Sequence, residues 1–186
     1  MDSNSLKTVG IVGSGSFGMA VANLLSYNTN VLVFTRKLET AAAINHNHFY
    51  FNTPLSDKVR ATMEMEEIAH TCNLIFPVVP SVNFRAMMKD LSPYLKPSHI
   101  LIHGTKGFDL TDVKDIDDKN LNISRKNVHT MSEVILQESV VVRVGCLSGP
   151  NLSAEIIDGQ PTASVIGSRF REVTDIGQQV LQSKKF

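Results

Sequence analysis

Gly13, Gly15 and Gly18 stand in the spacing Gly-x-Gly-x-x-Gly. They follow the β-branched run Thr8-Val9-Gly10-Ile11-Val12 and pass directly into an apolar helical pattern. Strand, glycine turn and helix in that order form a cradle for the pyrophosphate of a dinucleotide. Gly13 permits the tight turn off the strand, Gly15 lets a phosphate approach the backbone, and Gly18 lets the helix pack close. A helix beginning near Ser16 aims its free N–H groups and positive dipole end at the phosphates. A glycine-rich turn that binds nothing is the bland alternative, disfavoured by the strand before, the helix after and a second strand following.

That second strand ends Val33-Phe34-Thr35-Arg36-Lys37. In dinucleotide folds an acid near this point grips the ribose 2′-hydroxyl of NAD. Here the position carries Arg36, with Lys37 beside it. A cation there can stack on adenine and pair with a 2′-phosphate, so NADP(H) is the preferred cofactor, with NAD(H) as the alternative. A surface arginine opening a helix is the competing reading.

Other candidates lie at strand ends, where the loops of a parallel sheet line a ligand crevice. Pro80 fixes the loop Val79-Pro80-Ser81, Ser81 caps the next helix, and Phe84 and Arg85 are expected to border the cofactor ribose. Lys106, between Thr105 and Gly107, would hold a substrate phosphate or polarise a carbonyl oxygen; a solvated loop lysine explains it equally well. Ser148-Gly149-Pro150-Asn151 opens a helix, with Pro150 suited to its first position and Glu155 one turn beyond Asn151. A simple capped helix is the alternative there. His46 and His48 alternate without a third ligand nearby, so no metal site is expected. His99 and His103 bracket a strand and read as packing or surface residues.

The elements that must position these residues alternate strand and helix. Strands are expected at 7–13, 31–34, 73–79 and 99–103, with helices at 17–25, 38–44 and 81–91. Such alternation implies parallel crossovers and a doubly wound, mostly parallel sheet of the Rossmann-like α/β class. The second half is less regular. A polar excursion at 109–127 precedes a helix at 131–136, a strand at 140–147, a helix at 152–157, a strand at 162–166 and a helix at 170–181.

The 186 residues carry 18 Lys plus Arg against 18 Asp plus Glu, a formal net charge of zero. No basic field points to nucleic acid, and no polybasic run points to an anionic membrane. The polar start Met1-Asp2-Ser3-Asn4-Ser5 does not resemble a signal peptide, and no apolar stretch reaches spanning length, so membrane insertion is not expected. Cys72 and Cys146 are far apart and match no Cys-x-x-Cys pattern. They read as small core residues in a reducing, cytoplasmic protein.

Taken in order, several motifs resemble one family. They are Gly13-Ser14-Gly15-Ser16-Phe17-Gly18-Met19-Ala20, Phe34-Thr35-Arg36, Asn47-His48-Phe49-Tyr50, Val78-Val79-Pro80-Ser81, Lys106-Gly107, Ser148-Gly149-Pro150-Asn151 with Ala154-Glu155, and Gly159-Gln160-Pro161-Thr162-Ala163. Together they are similar to bacterial NAD(P)-dependent glycerol-3-phosphate dehydrogenase, from Val9 to about Phe186. The glycine loop is generic; the later motifs are more specific. The resemblance implies reversible reduction of dihydroxyacetone phosphate to sn-glycerol 3-phosphate, a phospholipid precursor, in a protein that is a homodimer at full length. It places Ser16, Phe17, Arg36, Tyr50 and Ser153 at the cofactor. It puts Lys106 at both the nicotinamide and the substrate, and Gly149 and Asn151 at the substrate.

Two departures stand out. The stretch from Lys106-Gly107 to Ser148 is longer than the family pattern, with 109–127 as the insertion. The family's helical carboxy-terminal domain has no counterpart here, and with it go its general-acid lysine and its substrate-phosphate grip. The expectation is therefore that residues 1–186 are one dinucleotide-binding domain. A ketopantoate reductase and a stand-alone nucleotide-binding module are the rival readings. The pairing of Ser148-Gly149-Pro150-Asn151 with Pro161-Thr162-Ala163 disfavours the first.

Overall fold

The computed structural model describes residues 7–111 and 123–183. Apolar runs with alternating faces build its main sheet. β1 (Thr8–Val12) leads into α1 (Ser16–Leu25), and β2 (Asn30–Phe34) into α2 (Leu38–Ala42), which continues as a π-helical turn at Ala43–Asn47. A small hairpin follows, β3 (Phe49–Tyr50) and β4 (Thr53–Pro54). Its two turn residues, Phe51 and Asn52, both have positive φ, as the twist of a two-residue hairpin demands. Then come β5 (Val59–Thr62), α3 (Met65–Thr71), β6 (Leu74–Pro77), α4 (Ser81–Leu91) and β7 (Ile100–His103). The second half holds β8 (Phe108–Leu110), β9 (Val128–Thr130), α5 (Met131–Glu138), β10 (Arg143–Ser148), α6 (Ser153–Ile157), β11 (Val165–Ser168) and α7 (Arg171–Leu181).

Seven strands form one sheet in the order β11-β10-β7-β6-β1-β2-β5. All neighbours are parallel except β10 and β11. The chain winds outward from β1 through β2 to β5, then crosses back to the other side of β1 as β6. This reversal makes the doubly wound sheet expected from the alternating pattern, and it opens a crevice beyond the carboxyl ends of β1 and β6.

Period-two alternation assigns each strand's side chains to a layer. Val9 and Ile11 of β1 join Val31, Val33, Phe76 and Ile102 under α1 and α7. Val12, Leu32, Ile75 and Leu101 face the other way, against α3, α4 and α5. α7 buries Val173, Gly177, Val180 and Leu181, one stripe at helical spacing, with Ile176 partly buried beside it and the charged residues of its other face in solvent. Among the described residues no helix is long and apolar enough to cross a membrane.

Several expected boundaries shift. No element was expected across 45–72, yet β5 and α3 lie there. Their segments are short, and α3 mixes acids with only two buried apolar residues, Ile68 and Ala69. The last strand begins at Val165 rather than 162, because residues 159–164 form the loop that closes on Gly149. Within the expected excursion, Phe108–Leu110 pairs with Val128–Thr130 as an antiparallel hairpin. Residues 112–122 of that stretch lie outside the described residues.

Candidate functional site

Gly13 leaves β1 with φ of +129°, a region that side chains disfavour. A Cβ there would lie 2.6 Å from the Val78 carbonyl oxygen, so the turn is pressed against the end of β6. At Gly18 a Cβ would lie 2.0 Å from the Gly13 carbonyl oxygen, so only glycine lets α1 start this close to the strand. Gly15 is the reverse case. Its φ and ψ are ordinary, and a Cβ would meet nothing within 4 Å. The space in front of it is open cleft. Gly15 also begins α1 without any side-chain cap, and Met19 N–H is the donor to its carbonyl at 3.0 Å. The first N–H groups of the helix therefore face the cleft, an anion site in dipole and in donors.

This cleft has a volume of about 280 Å³ and runs along the carboxyl ends of β1, β2 and β6. Gly13, Ser14 and Gly15 form its floor, Thr35 and Arg36 one end, and Val78, Val79 and Pro80 the opposite wall. Arg36 is exposed, and no described residue pairs with its guanidinium. Its charge is free for a ligand.

Sequence reasoning missed one side of the cleft. Asn83, Ala86, Met87 and Asp90 line it from α4, and Met65 from the start of α3. Their spacing of three, four and seven along α4 marks a single helical face, so the signal was present once Pro80 had been placed at the cleft.

A second wall assembles at the ends of β7 and β10. Phe17 of α1 packs under the Lys106 loop, with its ring atom Cε1 2.8 Å from where a Gly104 Cβ would sit. Thr105 Oγ1 donates to the Val79 carbonyl at 2.7 Å, tying this loop to the Pro80 loop. Lys106 Nζ reaches the Gly149 carbonyl at 3.4 Å. Gly149 has φ of +144°, and the Asn151 N–H returns to its carbonyl at 2.8 Å. The Asn151 amide is buried and held by Ser164 Oγ at 2.7 Å. Ser153, at the start of α6, places its hydroxyl 3.4 Å from that of Ser16 at the start of α1. Contacts thus run from Lys106 through Gly149 to Asn151, and from Ser153 to Ser16 at the start of α1, beside the glycine loop.

The structure places several expected residues differently. Phe84 is fully buried against His103, with ring centroids 5.9 Å apart, and Arg85 turns away from the cleft. Arg85 bonds Asp109 on β8 at 2.7 Å and Glu138 and Gln137 on α5, so neither residue borders a ribose. Burial works against the Arg85 charge, but Asp109 and Glu138 outweigh it and raise its pKa. Tyr50 packs against the core, its hydroxyl oxygen accepts from Thr40 Oγ1 at 3.1 Å, and it stands outside the lining of this cleft. Ser81 is the first residue of α4, not its cap; Pro80 takes that position, and Ser81 instead lies against Gly107. Pro150 likewise stands before α6, which begins only at Ser153.

His99 and His103 are packing residues. His99 Nδ1 accepts from the Lys96 N–H at 2.7 Å and Nε2 faces the Ala69 carbonyl at 2.8 Å, stitching β7 to α3. Burial pushes the His103 imidazole down to about 4, with the Thr105 backbone offsetting part of the drop, and Ser132 Oγ lies 2.9 Å from its Nε2. Burial likewise raises the thiol of Cys72 to about 12 and shifts Cys146 upward, which leaves neither a ready nucleophile.

Residues 8–174 match the family described as NAD-dependent glycerol-3-phosphate dehydrogenase N-terminus. The chain belongs to this family. A glycerol-3-phosphate dehydrogenase (NAD(P)+) of Saccharophagus degradans is 34% identical over 188 residues, covering 98% of this chain and 48% of that relative. The chain thus spans about half the length of the curated relatives it matches. Among solved structures, glycerol-3-phosphate dehydrogenase from Coxiella burnetii superposes with a TM-score of 0.79 at 21% identity, over 97% of this chain and 52% of that one. The Plasmodium falciparum glycerol-3-phosphate dehydrogenase gives 0.82 at 18% identity, over 96% and 50%. At those identities the structures speak for the fold. The family match and the sequence relatives carry the kinship.

Proposed function

We propose that this chain is the dinucleotide-binding half of a glycerol-3-phosphate dehydrogenase that interconverts dihydroxyacetone phosphate and sn-glycerol 3-phosphate, preferring NADP(H). The observation that carries the reading is the open, uncapped start of α1 at Gly15. It lies in one cleft with the free Arg36, and Phe17 of α1 packs on the loop that leads to Lys106. The residues fit an adenine dinucleotide. The N–H groups of the first turn of α1 hold the pyrophosphate, Arg36 faces the adenosine ribose, and Pro80 and the cleft face of α4 form the opposite wall. When bound, the nicotinamide supplies the hydride.

The protein's own part in the chemistry is orientation and charge. The Lys106 ammonium, beside Gly149, holds the substrate's anionic or carbonyl oxygen and stabilises charge that develops there. The Gly149 turn and the buried Asn151 form the surface on which the substrate rests. A cytoplasmic setting suits the two cysteines, which form no disulfide.

Titration with NADPH and NADH tests the reading. Arg36 should favour NADPH by about tenfold, and Arg36→Ala should remove that margin by weakening NADPH alone. Equal affinity of the unaltered protein for both cofactors contradicts the preference. Binding of neither contradicts the site.

A further inference from the structure

The end of β2 carries a second feature beside Arg36. Thr35 is 3% exposed, yet it lines the cleft together with Ser14. Their hydroxyl oxygens are 3.0 Å apart, across the gap between the glycine loop and the end of β2. Thr35 Oγ1 also accepts from the Lys37 N–H at 3.3 Å. Two hydroxyls bring two protons, and the contact between them uses one. If Ser14 donates to Thr35, both acceptor positions of Thr35 are filled and its own proton is spare. If Thr35 donates, the spare proton is on Ser14. In either arrangement one O–H is left without an acceptor among the described residues, on a pair that faces the cleft beside Arg36. A carboxylate at this point would only accept hydrogen bonds; this pair has one to give.

We propose that the Ser14–Thr35 hydroxyl pair is a second reader of the ligand's 2′-phosphate, donating one hydrogen bond to it alongside the Arg36 charge. The proposal rests on the dinucleotide reading above and names the residues that set its cofactor preference. Arg36 supplies a mobile, solvated charge. The hydroxyl pair supplies a donor fixed by two backbone elements, the glycine loop and β2. A fixed donor adds direction to a charge that alone would accept a phosphate in many poses. The pair also links the pyrophosphate end of the site to the 2′-phosphate end through a single contact.

Calorimetric titration of the intact protein with NADPH, NADH, 2′,5′-ADP and 5′-ADP tests this. Thr35→Val keeps the shape and removes the hydroxyl; Ser14→Ala removes the other partner; Thr35→Ser restores the hydroxyl. The expected result for Thr35→Val is a loss of about tenfold for NADPH and 2′,5′-ADP, with NADH and 5′-ADP within about twofold. Ser14→Ala should show a smaller loss in the same pattern, and Thr35→Ser should recover the unaltered values. Equal weakening of all four ligands by Thr35→Val overturns the proposal, because it assigns the pair to holding the glycine loop. Unchanged NADPH affinity in a folded Thr35→Val protein overturns it as well. Failure of the unaltered protein to bind any of the four removes the dinucleotide reading itself, a result distinct from both.

Discussion

Replacing Gly15 by valine separates binding from folding, because the two states see different surroundings at this residue. In the folded protein a Cβ at Gly15 meets nothing within 4 Å, and its φ of −74° and ψ of 175° suit any residue. Valine is a poorer helix-start residue than glycine, at a cost of about 0.5–1 kcal/mol. The loss of unfolded-chain freedom returns about 0.4–1 kcal/mol. The two nearly cancel, so the melting temperature should move by no more than about 2 °C. Binding has no such compensation. The branched side chain fills the space in front of the first N–H groups of α1. Losing two hydrogen bonds to a charged phosphate costs at least about 3 kcal/mol, more than a hundredfold in affinity. Gly18→Ala is the contrasting control. Its Cβ would lie 2.0 Å from the Gly13 carbonyl oxygen, so α1 must shift, and stability should fall by about 1–3 kcal/mol along with binding. Thermal melts with NADPH titration read both quantities. A Gly15→Val protein that melts normally and binds NADPH within threefold of the unaltered protein would refute the placement of pyrophosphate against this loop.

Arg85→Ala should destabilise the protein by about 2 kcal/mol, between an exposed and a buried pair, because it leaves Asp109 and Glu138 facing each other. NADPH affinity should stay within twofold; a selective loss of affinity would restore Arg85 to the ribose. Stability should also depend on pH through His103. Below the ordinary imidazole value of 6.5 the unfolded chain takes up a proton that the folded chain refuses down to about 4. Stability from this group is therefore full above about 6.5 and falls as the pH drops to about 4, by about 3 kcal/mol in all. Urea midpoints across that range should slope accordingly and flatten in His103→Gln; an unaltered slope would assign the effect to other groups.

The glycine loop was legible because local rules set its chemistry: a strand, three glycines at fixed spacing and a helix can meet in few ways. The place of Arg36 at the cleft was legible for the same reason, since it lies two residues past a strand whose side chains alternate. The Lys106–Gly149 contact was not. It joins residues 43 apart in the chain, and only the parallel pairing of β7 with β10 brings their loops together. Arg85 was misplaced because a polar residue on a helix next to a cleft has two sides to choose from, and the acids that claim it sit on β8 and α5, far along the chain. The setting of Tyr50 was not legible, because it depends on a hairpin of two-residue strands, too short to leave a pattern. The edge strand β5 was missed for want of apolar length; it buries Val59 and Thr62 while Arg60 faces solvent.

The central claim is that a dinucleotide lies across the start of α1 from Arg36 toward Lys106. Backbone amide chemical shifts, followed while NADP+ is titrated into the isotopically labelled protein, test it most directly. The account predicts the largest changes at Gly15, Ser16 and Phe17, further changes at Arg36 and Lys106, and none along the exposed face of α7. Changes confined to the cavity between β11 and α7, lined by Leu147, Ser164 and Gln178, or the absence of any change at millimolar ligand, would contradict it.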